Sequence, residues 1–117
     1  LGRKQLTLQL QQPLQQVLLS VDRPEDALVY ATQALEQLEG LELVLEGESL
    51  ARLAYAEALW DCQRRSAALE AIEAAHTNLL RRADNLGTSD ARESFLHRVI
   101  ENVTILRHAK RWPKIIT

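Results

Sequence analysis

The sequence predicts an all-α chain of five helices, and three observations carry that expectation. Hydrophobic residues make up 46% of the 117 positions, aromatics only 4%, and Gly and Pro number four and three. Ala- and Leu-rich chains with few helix breakers form packed helices, and the β-branched runs that strands favour are scarce. Apolar residues recur at spacings of three and four along most of the chain, which marks helical faces. Two stretches of sequence also repeat one small-residue pattern.

The first expected helix covers residues 4–20, with Leu6, Leu10, Leu14, Val17, Leu18 and Val21 on one face. Pro13 either kinks it or opens a new helix from its first turn. Leu6-Thr7-Leu8-Gln9-Leu10 also alternates as a strand would, so both readings stay open there. The second helix starts at Asp22-Arg23-Pro24-Glu25, where Asp caps free amides, Pro fits the first turn and Glu meets the positive end. Its stripe is Ala27, Leu28, Ala31, Ala34, Leu35 and Leu38, and Gly40 is placed to end it. Residues 41–48 read as a connection with some helical turn.

Ser49 is the expected cap of the third helix, which runs to about Cys62. Leu50, Ala51, Leu53, Ala54, Tyr55, Ala56, Ala58, Leu59 and Trp60 make it apolar nearly all round, so it needs neighbours on more than one side. Ser66 is the expected cap of the fourth helix, with Ala68, Leu69, Ile72, Ala75, Leu79, Ala83 and Leu86 as its stripe and Gly87 as its stop. Asp90 and Glu93 form a capping-box-like start to a closing helix over 90–112. Its expected buried face is Phe95, Leu96, Val99, Ile100, Val103 and Leu106, and Pro113 is expected to end it. Short turns between these helices make neighbours antiparallel.

Pro24 to Leu35 and Arg65 to Ala75 repeat one another. Aligning Ala27 with Ala68, 41 residues on, places Ala31 on Ile72 and Ala34 on Ala75. With Tyr55, Ala56 and Leu59 in the preceding helix, and Leu14 and Leu18 in the first, this resembles the tetratricopeptide repeat. The resemblance covers residues 9–87 as two repeats. It departs from the family in its spacing, which is 34 residues there, in Pro13, in Gln63 where the family has a turn glycine, and in lacking the closing proline. A second resemblance covers residues 76–111. Leu79-Leu80-Arg81-Arg82-Ala83, Arg92-Glu93-Ser94-Phe95-Leu96, Val99, Glu101-Asn102 and Leu106 look like the end of tetratricopeptide arrays in large bacterial multidomain proteins. There the array accompanies a kinase, an ATPase or a caspase-like peptidase domain.

The resemblance implies a right-handed superhelical array of antiparallel hairpins forming a single domain over 1–117. Residues 4–40 make the first pair, 49–87 the second and 90–112 the closing helix. It implies a protein–protein interaction or scaffolding module, the regulatory segment of a bacterial cytoplasmic signalling protein, with no enzyme activity and no cofactor. The expected partner is a protein, a peptide or an adjoining domain of the parent chain. First helices of each repeat line the groove, so Arg52, Tyr55 and Glu57 are its candidate residues. The alternative is a structural segment that caps an array or self-associates into a homo-oligomer. The absence of Met, even at position 1, predicts a processed chain or a piece of a longer one.

Other chemistry is weighed against plainer roles. Glu93, His97 and Glu101 are four apart and would share a helical face suited to zinc, but such spacing is also ordinary on a solvated helix. His76 and His108 have no ligand pattern beside them. Cys62 pairs more readily with a packing role than with nucleophilic chemistry. A single cysteine excludes an internal disulfide and fits a reducing compartment. Asn102-Val103-Thr104 matches a glycosylation acceptor, yet Val103 falls on an expected buried face. No apolar run reaches the ~20 residues of a membrane span. Net charge is only −2, although residues 21–60 carry nine acids against Arg23 and Arg52, while the end is basic. Arg107-His108-Ala109-Lys110-Arg111-Trp112 offers phosphate contacts and one stacking ring, but a basic helix C-terminus is favoured by the helix dipole alone, so no nucleic acid is expected.

Overall fold

The computed structural model describes residues 13, 16, 17, 19, 20, 22–39 and 47–116. Among these residues the chain is helical throughout, with no strand. Five helices have described bounds: α1 (Pro24–Glu39), α2 (Glu48–Asp61), α3 (Arg65–Asp84), α4 (Ser89–Arg98) and α5 (Ile100–Ile116). Most of the expected first helix, Gly40 and residues 41–46 lie outside the described residues. Pro13, Gln16, Val17 and Leu19 are helical, and Pro13 is buried.

The apolar stripes of the central helices pack as their spacing predicts. Ala27, Leu28, Ala31 and Ala34 of α1 are buried, as are Ala68, Ile72, Ala75, Leu79 and Ala83 of α3. The three positions paired by the 41-residue offset are therefore buried in both copies. Alanine at so many contact positions brings helix axes close. α2 buries Ala51, Leu53, Ala56, Ala58 and Leu59 around its circumference and touches α1, α3 and α5. Its all-round hydrophobicity is explained by those three neighbours. The molecule measures 41 × 39 × 21 Å, and its short dimension is about two helix diameters.

Helix ends differ from the expected ones. α1 begins with Pro24 in its first turn, followed by Glu25 and Asp26, as the sequence suggests. α2 is entered through Gly47, whose φ of 81° is left-handed, and Ser49 lies inside the helix rather than capping it. Its hydroxyl accepts from Arg82 instead, at 3.2 Å. α3 starts at Arg65, one residue before Ser66, and it ends at Asp84, leaving Leu86 exposed. α4 is capped by Thr88, whose Oγ1 accepts from the Ala91 amide at 3.1 Å, so Asp90 sits in the first turn and not at the cap. Several polar residues compete at each helix start, and periodicity does not choose among them.

The turn from α2 to α3 holds a non-glycine residue in a left-handed conformation. The Arg64 amide bonds the Leu59 carbonyl (2.9 Å) and the Gln63 amide bonds the Trp60 carbonyl (3.1 Å), closing a Schellman motif. Gln63 occupies its left-handed position with φ 65°. A residue with a Cβ is strained there, and glycine is not. Gln63→Gly is therefore expected to raise stability by about 1 kcal/mol, since it gives up only an exposed 3.2 Å bond from Arg65. Thermal unfolding checks this; a lower midpoint contradicts it.

The expected closing helix over 90–112 is two helices. Val99 is extended (φ −87°, ψ 120°) and separates α4 from α5. Leu96 and Ile105 are both buried. At about 100° per residue, nine residues turn a straight helix by about half a revolution, so one helix would put these two on opposite faces. The break resolves that conflict and moves the buried face of α5 to Asn102, Ile105 and Trp112. Val99 and Ile100, expected inside, are exposed as a result. The buried Asn102 secures the junction by donating from Nδ2 to the Phe95 carbonyl at 2.8 Å, near the end of α4 where intrahelical donors run out. Pro113 does not end α5, which continues to Ile116. The proline ring lacks an amide to bond the Ala109 carbonyl and crowds it, yet the helix runs on for three more residues.

Candidate interaction surface

Contacts fix how the helices run. Arg82, late in α3, reaches Glu48 (3.7 Å) at the start of α2, while Arg65 at the start of α3 lies over Trp60 near the end of α2. α2 and α3 are therefore antiparallel. Arg64, just beyond α2, approaches Glu25 in the first turn of α1 at 4.0 Å, which makes that pair antiparallel too. α5 runs the other way relative to α3. Glu57 meets His108, and Trp60 meets Trp112 one turn further along both helices, so α5 lies parallel to α2.

Of the candidate groove residues, Arg52 and Tyr55 are three apart on one face of α2. Arg52 is half-buried and its Nε is 3.4 Å from Glu48, which also faces Arg82. Tyr55 is half-buried against the core. Glu57 points elsewhere, toward α5, with its Oε2 3.0 Å from His108 Nε2. The structure thus brings Arg52 and Tyr55 together and places Glu57 in the α2–α5 contact.

That contact holds an aromatic ladder. The Arg65 guanidinium sits 3.9 Å from the Trp60 ring centre. Trp60 stacks on Trp112 at 4.4 Å and 12°, and His108 stacks on Trp112 at 4.4 Å and 14°. Stacked rings and a guanidinium over an indole are each worth on the order of 1 kcal/mol beyond burial. The signal in the sequence is Glu57 and Trp60 three apart on one helix, matched by His108 and Trp112 four apart on another. Reading Trp112 as a residue beside a terminating proline hid it. Its burial also removes it as a surface for base stacking.

The zinc arrangement does not assemble. Glu93 and His97 are 3.5 Å apart on exposed α4, but Glu101 lies beyond the Val99 break on α5. Among the described residues no three His, Cys, Asp or Glu side chains are grouped to hold a metal ion. Cys62 is half-buried at the end of α2 and packs against the core. Burial first, and then the Glu25 carboxylate, push its thiol above the ordinary value. The folded state thus holds this proton longer than the unfolded chain, and the associated stability is lost as pH rises through the raised value. Because the thiolate is the nucleophile, Cys62 is expected to react with iodoacetamide at pH ~8 more slowly than in the urea-unfolded chain. Mass spectrometry over time checks this; equal rates contradict it.

The outward side of α5 carries Arg107, Lys110, Arg111 and Lys114, all exposed. Among the described residues no helix is long and apolar enough to cross a membrane. Comparison with family models, with curated proteins and with solved structures finds no match to this chain.

Proposed function

We propose that the chain is a protein–protein interaction or scaffolding module built as a tetratricopeptide-like, right-handed array, the regulatory segment of a larger bacterial signalling protein. One observation carries this reading. α5 packs parallel to α2 and antiparallel to α3, as the first helix of a following repeat would, so each added helix covers the flank of the last pair. The buried alanines of α1, α2 and α3 support the same stacking. In such an array the face of α2 bearing Arg52 and Tyr55 receives an extended segment of a partner protein. Both residue types are suited to it: Tyr and Arg supply large contact area and directional hydrogen bonds.

Selection of a random peptide library on the immobilised chain tests the reading. The expected result is one enriched sequence family whose affinity falls about tenfold or more in an Arg52→Ala/Tyr55→Ala variant that still melts cooperatively. Failure to enrich any family, or enriched peptides indifferent to both residues, overturns it.

A further inference from the structure

The net charge of the chain is only −2, yet its charges are segregated on the fold. Arg107, Lys110, Arg111 and Lys114 fall on one strip of α5, opposite buried Asn102, Ile105 and Trp112. Among the described residues no ion pair engages any of the four. Ile100, 81% exposed, and Ile115, 63% exposed, flank the strip at its two ends. The outer side of α1 is the counterpart. Glu25, Asp26 and Glu36 are exposed there, with Asp22 just before the helix and Val29, 55% exposed, among them. The pairs these acids make, Arg23–Asp26 at 3.5 Å and Arg64–Glu25 at 4.0 Å, are long and solvated, so each is weak and easily exchanged. α1 touches α2 alone among the described helices, whereas α5 touches α2, α3 and α4. The basic and acidic faces therefore lie on different flanks of α2 and do not neutralise one another within a molecule.

We propose that the basic face of α5 docks on the acidic face of α1 in a second copy of the chain. The dimensions agree. The four cations span about 10 Å of helix and Asp26 to Glu36 about 15 Å, a difference within the reach of Lys and Arg side chains. The flanking aliphatic residues favour a protein surface over a polyanion, because Ile100, Ile115 and Val29 gain by leaving water against apolar groups and gain nothing against phosphates. Trp112 is buried and is not offered to a base, and the His108 ring is stacked on it. Since the two faces differ and lie on different flanks of α2, the contact is head-to-tail and continues past a dimer, into a ring where the rotation closes and an open chain where it does not. This names a partner for the interaction module but uses neither Arg52 nor Tyr55, so either reading can fail alone.

Sedimentation of the full chain over a wide concentration range tests it, at ~10 mM and ~1 M salt, where the screening length falls from about 30 to 3 Å. At low salt the weight-average mass is expected to rise at least about twofold with concentration and to show no plateau at the dimer; at high salt the chain stays monomeric. Lys110→Glu/Arg111→Glu and Asp26→Lys/Glu36→Lys, all at exposed positions, should each keep the chain monomeric at low salt with unchanged circular dichroism. Mixing the two variants should restore growth, because each reversed face then meets its complement. A wild-type monomer at every concentration overturns the proposal, as does association indifferent to salt or to charge reversal. A monomer that binds heparin through the same four cations overturns it too, in favour of a polyanionic partner.

Discussion

Trp112→Ala is expected to destabilise the chain by about 3–5 kcal/mol, the usual cost of deleting a buried large aromatic. Trp112 is only 5% exposed, although it lies one residue before a proline near the end of the last helix. The substitution removes both of its stacks, on Trp60 and on His108, and leaves a void between α2 and α5. It also leaves the Glu57–His108 contact, at 3.0 Å, without the ring that fixes the imidazole plane. Domains of this size are stable by roughly 5–15 kcal/mol, so the variant loses a large share of its margin. Urea unfolding should show the lower midpoint, and the melting temperature should fall by on the order of 10 °C or more. Trp60→Ala is expected to cost less, because Trp60 is half-buried. A Trp112 variant within about 1 kcal/mol of the parent contradicts the packing of α5 on α2.

Ile72→Ala is expected to cost about 2–5 kcal/mol, in the upper part of that range. Ile72 is fully buried in α3 and sits between Ala68 and Ala75 on the same face. Alanines cannot swing inward to fill the space an isoleucine leaves, so the cavity persists and its full cost is felt. The half-buried Leu69, one turn away, provides the contrast, and Leu69→Ala should cost clearly less. Denaturant unfolding of both variants separates the two outcomes. Equal losses would mean that α3 does not turn Ile72 to the core.

The same pair of residues shows what the sequence reveals. Ile72 lies on a stripe of period 3.6 with no competing pattern, and the stripes of α1 and α3 are legible for that reason. Trp112 lies on a stripe that starts only after Val99. Before the break, Leu96 sets one phase; after it, Asn102, Ile105 and Trp112 set another, about half a turn away. Either phase can be extended as a continuous helix on paper. What decides is that both must face one core, and no local signal carries that. Asn102 shows the same limit. A polar residue between apolar ones reads as surface until the Phe95 carbonyl is known to need a donor. The caps escaped for a simpler reason: Ser49, Ser66 and Asp90 are all sound cap residues, each displaced by two positions in favour of Gly47, Arg64 and Thr88. Of the candidate groove residues, Arg52 and Tyr55 share a face as helical spacing requires. The placement of Glu57 depended on α5, whose position followed from the break.

Gln63 is the opposite case. It sits at the α2–α3 turn, and the backbone there is left-handed although the residue is not glycine. The strain is held in place by the Schellman bonds of the turn and by the packing of the two helices it joins.

The central claim is that α2 and α5 are direct, parallel neighbours. A double-mutant cycle on Trp60 and Trp112 measures it most directly. Trp60→Leu, Trp112→Leu and the double variant keep apolar volume while removing the stack. The two single losses are expected to exceed the loss in the double variant by a coupling of about 0.5–1.5 kcal/mol. Strict additivity of the two substitutions would contradict the arrangement, because residues more than about 7–10 Å apart with no shared partner do not couple.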